Sequence, residues 1–119
     1  MTESEKQQLI NDLNQFHGTE HYYRYLGIIL TDGVKFLCES AKCWWYADII
    51  ASMQFENKVK KEPFQVFKLN VNPDQTARVT IEDGNDNIIF YQDIQYTDFP
   101  LDKFVVWCID KIALLPSEY

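Results

Sequence analysis

Apolar positions recur with a helical period in the first half of the chain and with an alternating period in the second. Over residues 3–16 (ESEKQQLINDLNQF), Leu9, Ile10, Leu13 and Phe16 share one stripe of a helix. Glu3 and Glu5 suit its N-terminus, where the dipole favours negative charge, and Gly18 is placed to end it. Residues 19–31 keep neither period. Tyr22, Tyr23 and Tyr25 crowd around Arg24, and a short apolar run, Ile28–Leu30, follows Gly27, so an extended or one-turn connector is expected. Thr31-Asp32-Gly33 reads as a helix start, because either side-chain oxygen can cap the free N–H groups beyond it. The helix it opens is expected to run from about Gly33 to Gln54, on the order of 33 Å. Wound on a helical wheel, Val34, Leu37, Cys38, Ala41, Trp44, Trp45, Ile49 and Ala51 fall on one arc, with Asp48 inside it. Phe36, Cys43, Ala47 and Ile50 form a second apolar strip, so both sides of this central helix are expected to be covered.

Lys58, Lys60 and Lys61, with Pro63 behind them, form a solvated linker, and the period then changes. Phe67, Leu69 and Val71 face one way, Asn72-Pro73-Asp74-Gln75 supplies a turn, and Ala77, Val79 and Ile81 repeat the alternation. A second turn at Asp83-Gly84-Asn85-Asp86 leads to a third strand over residues 87–96, and turns this short imply an antiparallel meander. Thr97-Asp98-Phe99-Pro100 breaks the pattern. The closing segment FVVWCIDKIALL is almost continuously apolar; a hairpin turning at Asp110-Lys111 is the preferred reading and a terminal helix the alternative. The expected fold class is α+β. Two N-terminal helices (about 3–16 and 33–54) pack on an antiparallel sheet of three to five strands formed by residues 64–115, in a single domain over 1–119.

Composition narrows the function classes. At 119 residues with 46% hydrophobic and 15% aromatic content, the chain can bury a core without staples, which rules against disorder. A net charge of −7 argues against direct nucleic-acid binding, which needs a basic face. No apolar run approaches the roughly 20 residues of a membrane helix. Three cysteines without CxxC spacing, and no apolar leader after Met1, point to free thiols and a cytoplasmic location. A soluble monomer or small homo-oligomer is expected.

Most of the reactive side chains fall between His17 and Gln54, yet no motif there names a reaction. His17 and His21 have a metal-compatible spacing, but Gly18 interrupts the helix and no third spaced ligand follows. Cys38 and Cys43, five apart on a helix, diverge by about 140°. Ser40, Ser52 and Cys43 sit in no nucleophile elbow, and four glycines supply no phosphate-gripping loop. No catalytic residue, metal or cofactor is expected. Asp48 breaks a local rule, because a carboxylate in an apolar arc is costly unless paired or hydrogen-bonded. Arg24 and the hydroxyls of Tyr22, Tyr23 and Tyr25 are its candidate partners, as a structural tie or as a small aromatic ligand pocket. The candidate binding residues are therefore Tyr22, Tyr23, Arg24, Trp44, Trp45 and Asp48.

Gly18-Thr19-Glu20-x-Tyr22-Tyr23-Arg24, Thr31-Asp32-Gly33-Val34-Lys35 and Trp45-x-x-Asp48-x-Ile50-Ala51-Ser52-x-Gln54 resemble a family of small uncharacterised bacterial proteins, found largely in genomes rich in mobile elements. Tyr96-Thr97-Asp98-Phe99-Pro100-Leu101 and Leu114-Leu115-Pro116-Ser117-Glu118-Tyr119 fit the same pattern, so the resemblance spans nearly the whole chain. A glycine commonly follows the aspartate matched by Asp110; Lys111 departs from that. The leading functional expectation is a non-enzymatic accessory protein binding an unknown protein or small ligand, one form being a mobile-element product acting on a host protein. A small enzyme with Asp48 as general base and His21 or a tyrosine as acid is the alternative. A structural dimerising subunit is the third reading.

Overall fold

The computed structural model describes residues 1–119. It has four helices and a seven-stranded mixed sheet, more of each than the pattern predicts. Helix α1 (Glu3–Leu13) starts with a capping box between Thr2 and Glu5 and stops at Asn14, ahead of Gly18. Leu9 and Leu13 are buried, while Ile10 turns outward. The expected connector is instead a hairpin, β1 (Tyr22–Tyr25) and β2 (Ile28–Thr31), turning at Leu26 (φ 47°) and Gly27 (φ 87°). Both central residues have positive φ, the two-residue geometry whose twist matches the strands it joins. Leucine in place of asparagine hides that turn.

The long central helix is two helices. α2 (Asp32–Ser40) ends when Lys42 takes a left-handed conformation (φ 53°) and the Cys43 amide donates back to the Cys38 carbonyl at 3.0 Å. This is a glycine-type helix stop carried by a lysine. α3 (Trp44–Met53) restarts in a new direction, so the single-helix wheel does not hold across the break. Asp48 is exposed, not inside an apolar arc. The short α4 (Asn57–Lys60) turns the lysine run outward and buries Val59.

The remaining strands are β3 (Phe64–Val71), β4 (Ala77–Asp83), β5 (Ile88–Ile94), β6 (Lys103–Ile109) and β7 (Ile112–Leu114), followed by a 3-10 turn at Pro116–Glu118. The order is β1-β2-β7-β6-β3-β4-β5, with β2 parallel to β7 and every other pair antiparallel. The closing segment is the expected hairpin, with Asp110 (φ 51°) and Lys111 (φ 66°) as its two-residue turn. The sheet therefore recruits the N-terminal hairpin as well as residues 64–114.

The register sorts side chains by face. Phe67, Leu69, Val79, Ile81, Val106, Cys108, Ala113 and Leu30 are buried beneath the helices. Tyr46 reaches down from α3 and donates its hydroxyl to the Phe67 carbonyl at 2.8 Å. Gln54 and Gln65 exchange amide hydrogen bonds at 2.8 and 3.1 Å, and Gln65 also donates to the Val59 and Glu62 carbonyls. That pair fastens α3 and α4 to β3 without leaving a buried amide unsatisfied.

Candidate functional site

The six candidate residues separate into four places. Alternation along β1 sends Tyr23 and Tyr25 toward the helices and Tyr22 and Arg24 to the opposite face, where both are exposed. Tyr23 donates its hydroxyl to Asp32 Oδ1 at 2.9 Å. Asp32 Oδ2 accepts the Glu20 amide at 2.9 Å and the His21 amide at 3.3 Å, and the Asp32 amide donates to Thr19 Oγ1 at 2.8 Å. The Glu20 amide, with the Tyr23 hydroxyl next, holds the Asp32 carboxyl below the usual carboxylate range. The same bond pushes the Tyr23 phenol up. His21 Nδ1 lies 3.7 Å from Asp32 Oδ1, and Lys35 Nζ sits 4.9 Å above the Tyr23 ring. This cluster ties the loop before β1 to the start of α2.

Asp48 takes Tyr25 as its partner, one of the hydroxyls expected; Arg24 has no ion pair. The Tyr25 hydroxyl donates to Asp48 Oδ1, and that bond, together with burial, pushes the phenol up to about 12. The Trp44 ring packs against Tyr25 with centroids 5.2 Å apart.

Trp45 takes the other side of α3. It stacks on Tyr46 at 5.8 Å and meets the Phe99 edge at 6.4 Å. Trp45, Asp48 and Ile49 stand at i, i+3 and i+4, so one helix face carries all three. They form one wall of a groove of about 490 Å³. The opposite wall comes from the end of β5 and the turn after it, including Ile94, Tyr96 and Asp98. In that turn Thr97 and Phe99 are buried, and the Thr97 hydroxyl accepts the Phe99 amide at 3.1 Å. Alternation then throws Tyr96 and Asp98 outward. Asp48 and Asp98 bring carboxylates to the groove, whereas Asp93, also along its lining, turns its carboxylate to the opposite face of β5 and bonds Arg78 at 2.6 Å. The groove lining has no lysine, arginine or histidine.

A second depression, of about 500 Å³, lies between α1 and residues 100–104 and mixes Glu3 and Asp102 with Lys6 and Lys103. It contains none of the candidate residues. The three cysteines are buried and free. A hydrogen bond with Cys38, then burial, pushes the Cys43 thiol up, and burial pushes Cys108 up to about 12. Thiolate is the reactive form, so these two remain protonated thiols in the core.

The model of the family of unknown function DUF6876 matches residues 7–119. The chain belongs to DUF6876. No curated protein and no solved structure matches it. The geometry gives the motifs of this DUF6876 chain a structural content. Thr19, Tyr23, Thr31 and Asp32 knit one network, and Glu118 completes it from the C-terminal end. Its Oε1 accepts the Thr31 hydroxyl at 2.6 Å and the Leu115 amide at 2.8 Å, while Oε2 accepts the Gly33 amide at 3.0 Å. Gln54 serves the α3–β3 tie. Of the motif residues in the central segment, Trp45 and Asp48 are left facing a groove.

Tyr96, Asp98 and Glu118 were not singled out as site residues by the sequence. Their signal was present in the Tyr96–Leu101 and Leu114–Tyr119 stretches, but both lie far along the chain from the helix they meet. A wheel drawn on one helix contains no information on the second wall of a groove.

Proposed function

We propose that this DUF6876 protein is a non-enzymatic accessory protein that recognises a basic partner, taking a lysine or arginine side chain of another protein into the groove between α3 and the end of β5. The observation that carries the reading is the groove's composition: Trp45 and Tyr96 rings beside the Asp48 and Asp98 carboxylates, with no basic side chain lining it. Its volume of about 490 Å³ suits a side chain and its neighbours. A cation over an aromatic face gains about 0.5–2 kcal/mol, and carboxylates at the rim add charge-assisted hydrogen bonds. The chain's charge of −7 would steer such a partner toward it.

The enzyme reading needs Asp48 free to take a proton and an acid nearby to return it. Here the Asp48 carboxylate already accepts the Tyr25 hydroxyl, that phenol keeps its proton to about 12, and His21 stands beside Asp32. Recognition uses the groove as it is.

The test is a titration of the isotope-labelled protein with a short lysine- and arginine-containing peptide, followed by NMR. The Trp45 indole and the amides of residues 92–98 should shift, and affinity should fall with added salt. Trp45→Ala and Asp98→Asn should each weaken binding about tenfold, the equivalent of about 1.4 kcal/mol. Shifts confined to other surfaces, or none at millimolar peptide, would defeat the proposal.

A further inference from the structure

We infer that the uncovered face of the sheet is a homodimer interface, on which a second copy of this chain packs sheet against sheet. The four helices occupy one face. The other face carries a band of side chains across the middle strands: Ile29, Ile112, Ile109, Trp107, Val105 and Phe64, all half-buried. The chain's last turn touches one end of this face, where Tyr119, 79% exposed, packs its ring 5.6 Å from Trp107 and 6.3 Å from Phe64.

The strand sequences carry the first argument for a cover. β4 alternates apolar and polar residues, as a strand with one wet face should. β6 does not: Phe104 to Ile109 is apolar at every position, and β2 and β7 are likewise apolar on both faces up to Thr31. Continuous apolar strands are the signature of burial on both sides. Residues 1–119 form only two layers, their shortest extent being 25 Å, and supply no second cover.

Area and charge favour a second copy as that cover. The seven strands, at about 3.3 Å per residue and about 4.8 Å between strands, give the face about 600 Å² in flat projection. A face-to-face pair therefore covers about 1,200 Å² before side-chain relief is counted, the lower bound of a stable specific interface. Toward the β5 end the charges are already neutralised in place, Lys68 with Glu82 at 3.0 Å and Arg78 with Asp93 at 2.6 Å, so burying them strands no lone charge. Toward the β1 end Arg24 is unpaired. A two-fold axis along β6 lays that end over the other copy's β5, and the register sets each Arg24 level with its neighbour's turn at residues 84–87, which carries Asp86. Such a pairing is isologous and closes on itself.

Light scattering and sedimentation across micromolar to millimolar concentrations test the inference. The expected particle has twice the 14.1 kDa chain mass. Val105→Glu should return it to monomer, and Lys68, the register partner of Val105, supplies the new carboxylate with an opposite charge so that the fold survives. Tyr119→Glu, at a residue already exposed in the single chain, should weaken the dimer at least tenfold without altering circular dichroism. A monomer at all concentrations would overturn the proposal. So would a dimer in which the outward amides of Ile88–Ile94 gain exchange protection, which is edge pairing through β5, or a monomer whose open-face amides shift with oligothymidylate, which gives the face to single-stranded nucleic acid.

Discussion

Lys111 shows how a single residue can oppose the turn it occupies. A two-residue hairpin loop of this hand needs positive φ at both central positions, and Asp110 (51°) and Lys111 (66°) adopt it. Aspartate tolerates that region, whereas lysine sets its Cβ against the backbone at a cost of about 1–2 kcal/mol. Glycine removes the clash but frees the unfolded chain, which takes back about 0.4–1 kcal/mol. The clash is the larger effect, so Lys111→Gly should stabilise the protein by about 0.5–1 kcal/mol, a rise of a few degrees in Tm by calorimetry. An unchanged or lower Tm would show that the Lys111 conformation is not strained. Lys42, at the stop of α2, has the same geometry and should respond with the same sign.

At the scale of elements, the junction between the last turn and α2 is the clearest case of distant segments acting as one. Glu118 sets its carboxylate against the first turn of α2, where free amides and the helix dipole both favour an anion. A β-carbon on Gly33 would stand 2.6 Å from Leu115 Cδ1 and 2.7 Å from Glu118 Oε1, so only glycine lets that carboxylate in. Glu118→Gln keeps the shape but turns an N–H toward a donor; it should destabilise by about 2 kcal/mol, read as a lower urea midpoint at unchanged slope. Gly33→Ala should also destabilise, because making room for the methyl displaces the Glu118 carboxylate from its bonds to Thr31, Gly33 and Leu115, a loss that outweighs the helix-propensity gain of about 1 kcal/mol.

The same junction marks where sequence reading stops. The meander was legible because Asn72-Pro73 and Asp83-Gly84 announce their turns, and the terminal hairpin because Val105 and Trp107 favour strands. The break at Lys42 and the Leu26-Gly27 hairpin carried weak local signals, a lysine and a leucine where glycine or asparagine is usual. Glu118 at Gly33, Gln54 at Gln65, and Tyr96 with Asp98 opposite Trp45 are juxtapositions made by the tertiary fold, and no window along the chain contains them. The candidate groove was legible only in part: Trp45 and Asp48 by residue type, Asp48 through an apolar-arc placement that the break at Lys42 overturns, and their facing wall not at all.

For the whole molecule, pH sets two electrostatic effects against each other. A charge of −7 over 7110 Å² of surface spaces the net charges about 30 Å apart, well beyond a Debye length of about 8 Å at physiological salt, so relief of self-repulsion on acidification is small. Against it stand carboxyls held below their usual range by specific bonds: Asp32 by the Glu20 amide, Asp74 by the Thr76 hydroxyl, Asp83 by the Asn87 side chain, Asp93 by Arg78 and Glu5 by the Thr2 amide. Their folded values lie below their unfolded ones, so the unfolded chain takes up protons first. The stability they provide is complete above the ordinary carboxyl values, 3.8 for aspartate and 4.5 for glutamate, and is lost as pH falls through the folded values. Thermal unfolding should therefore be nearly flat from neutral pH to about 5 and drop steeply below about 4. The slope of stability against pH counts the protons bound on unfolding, and Asp32→Asn should lower that count by up to one while leaving Tyr23 a partner oxygen. A protein that grows more stable as pH falls through 4 would mean that charge repulsion, not these bonded carboxylates, governs its acid limit.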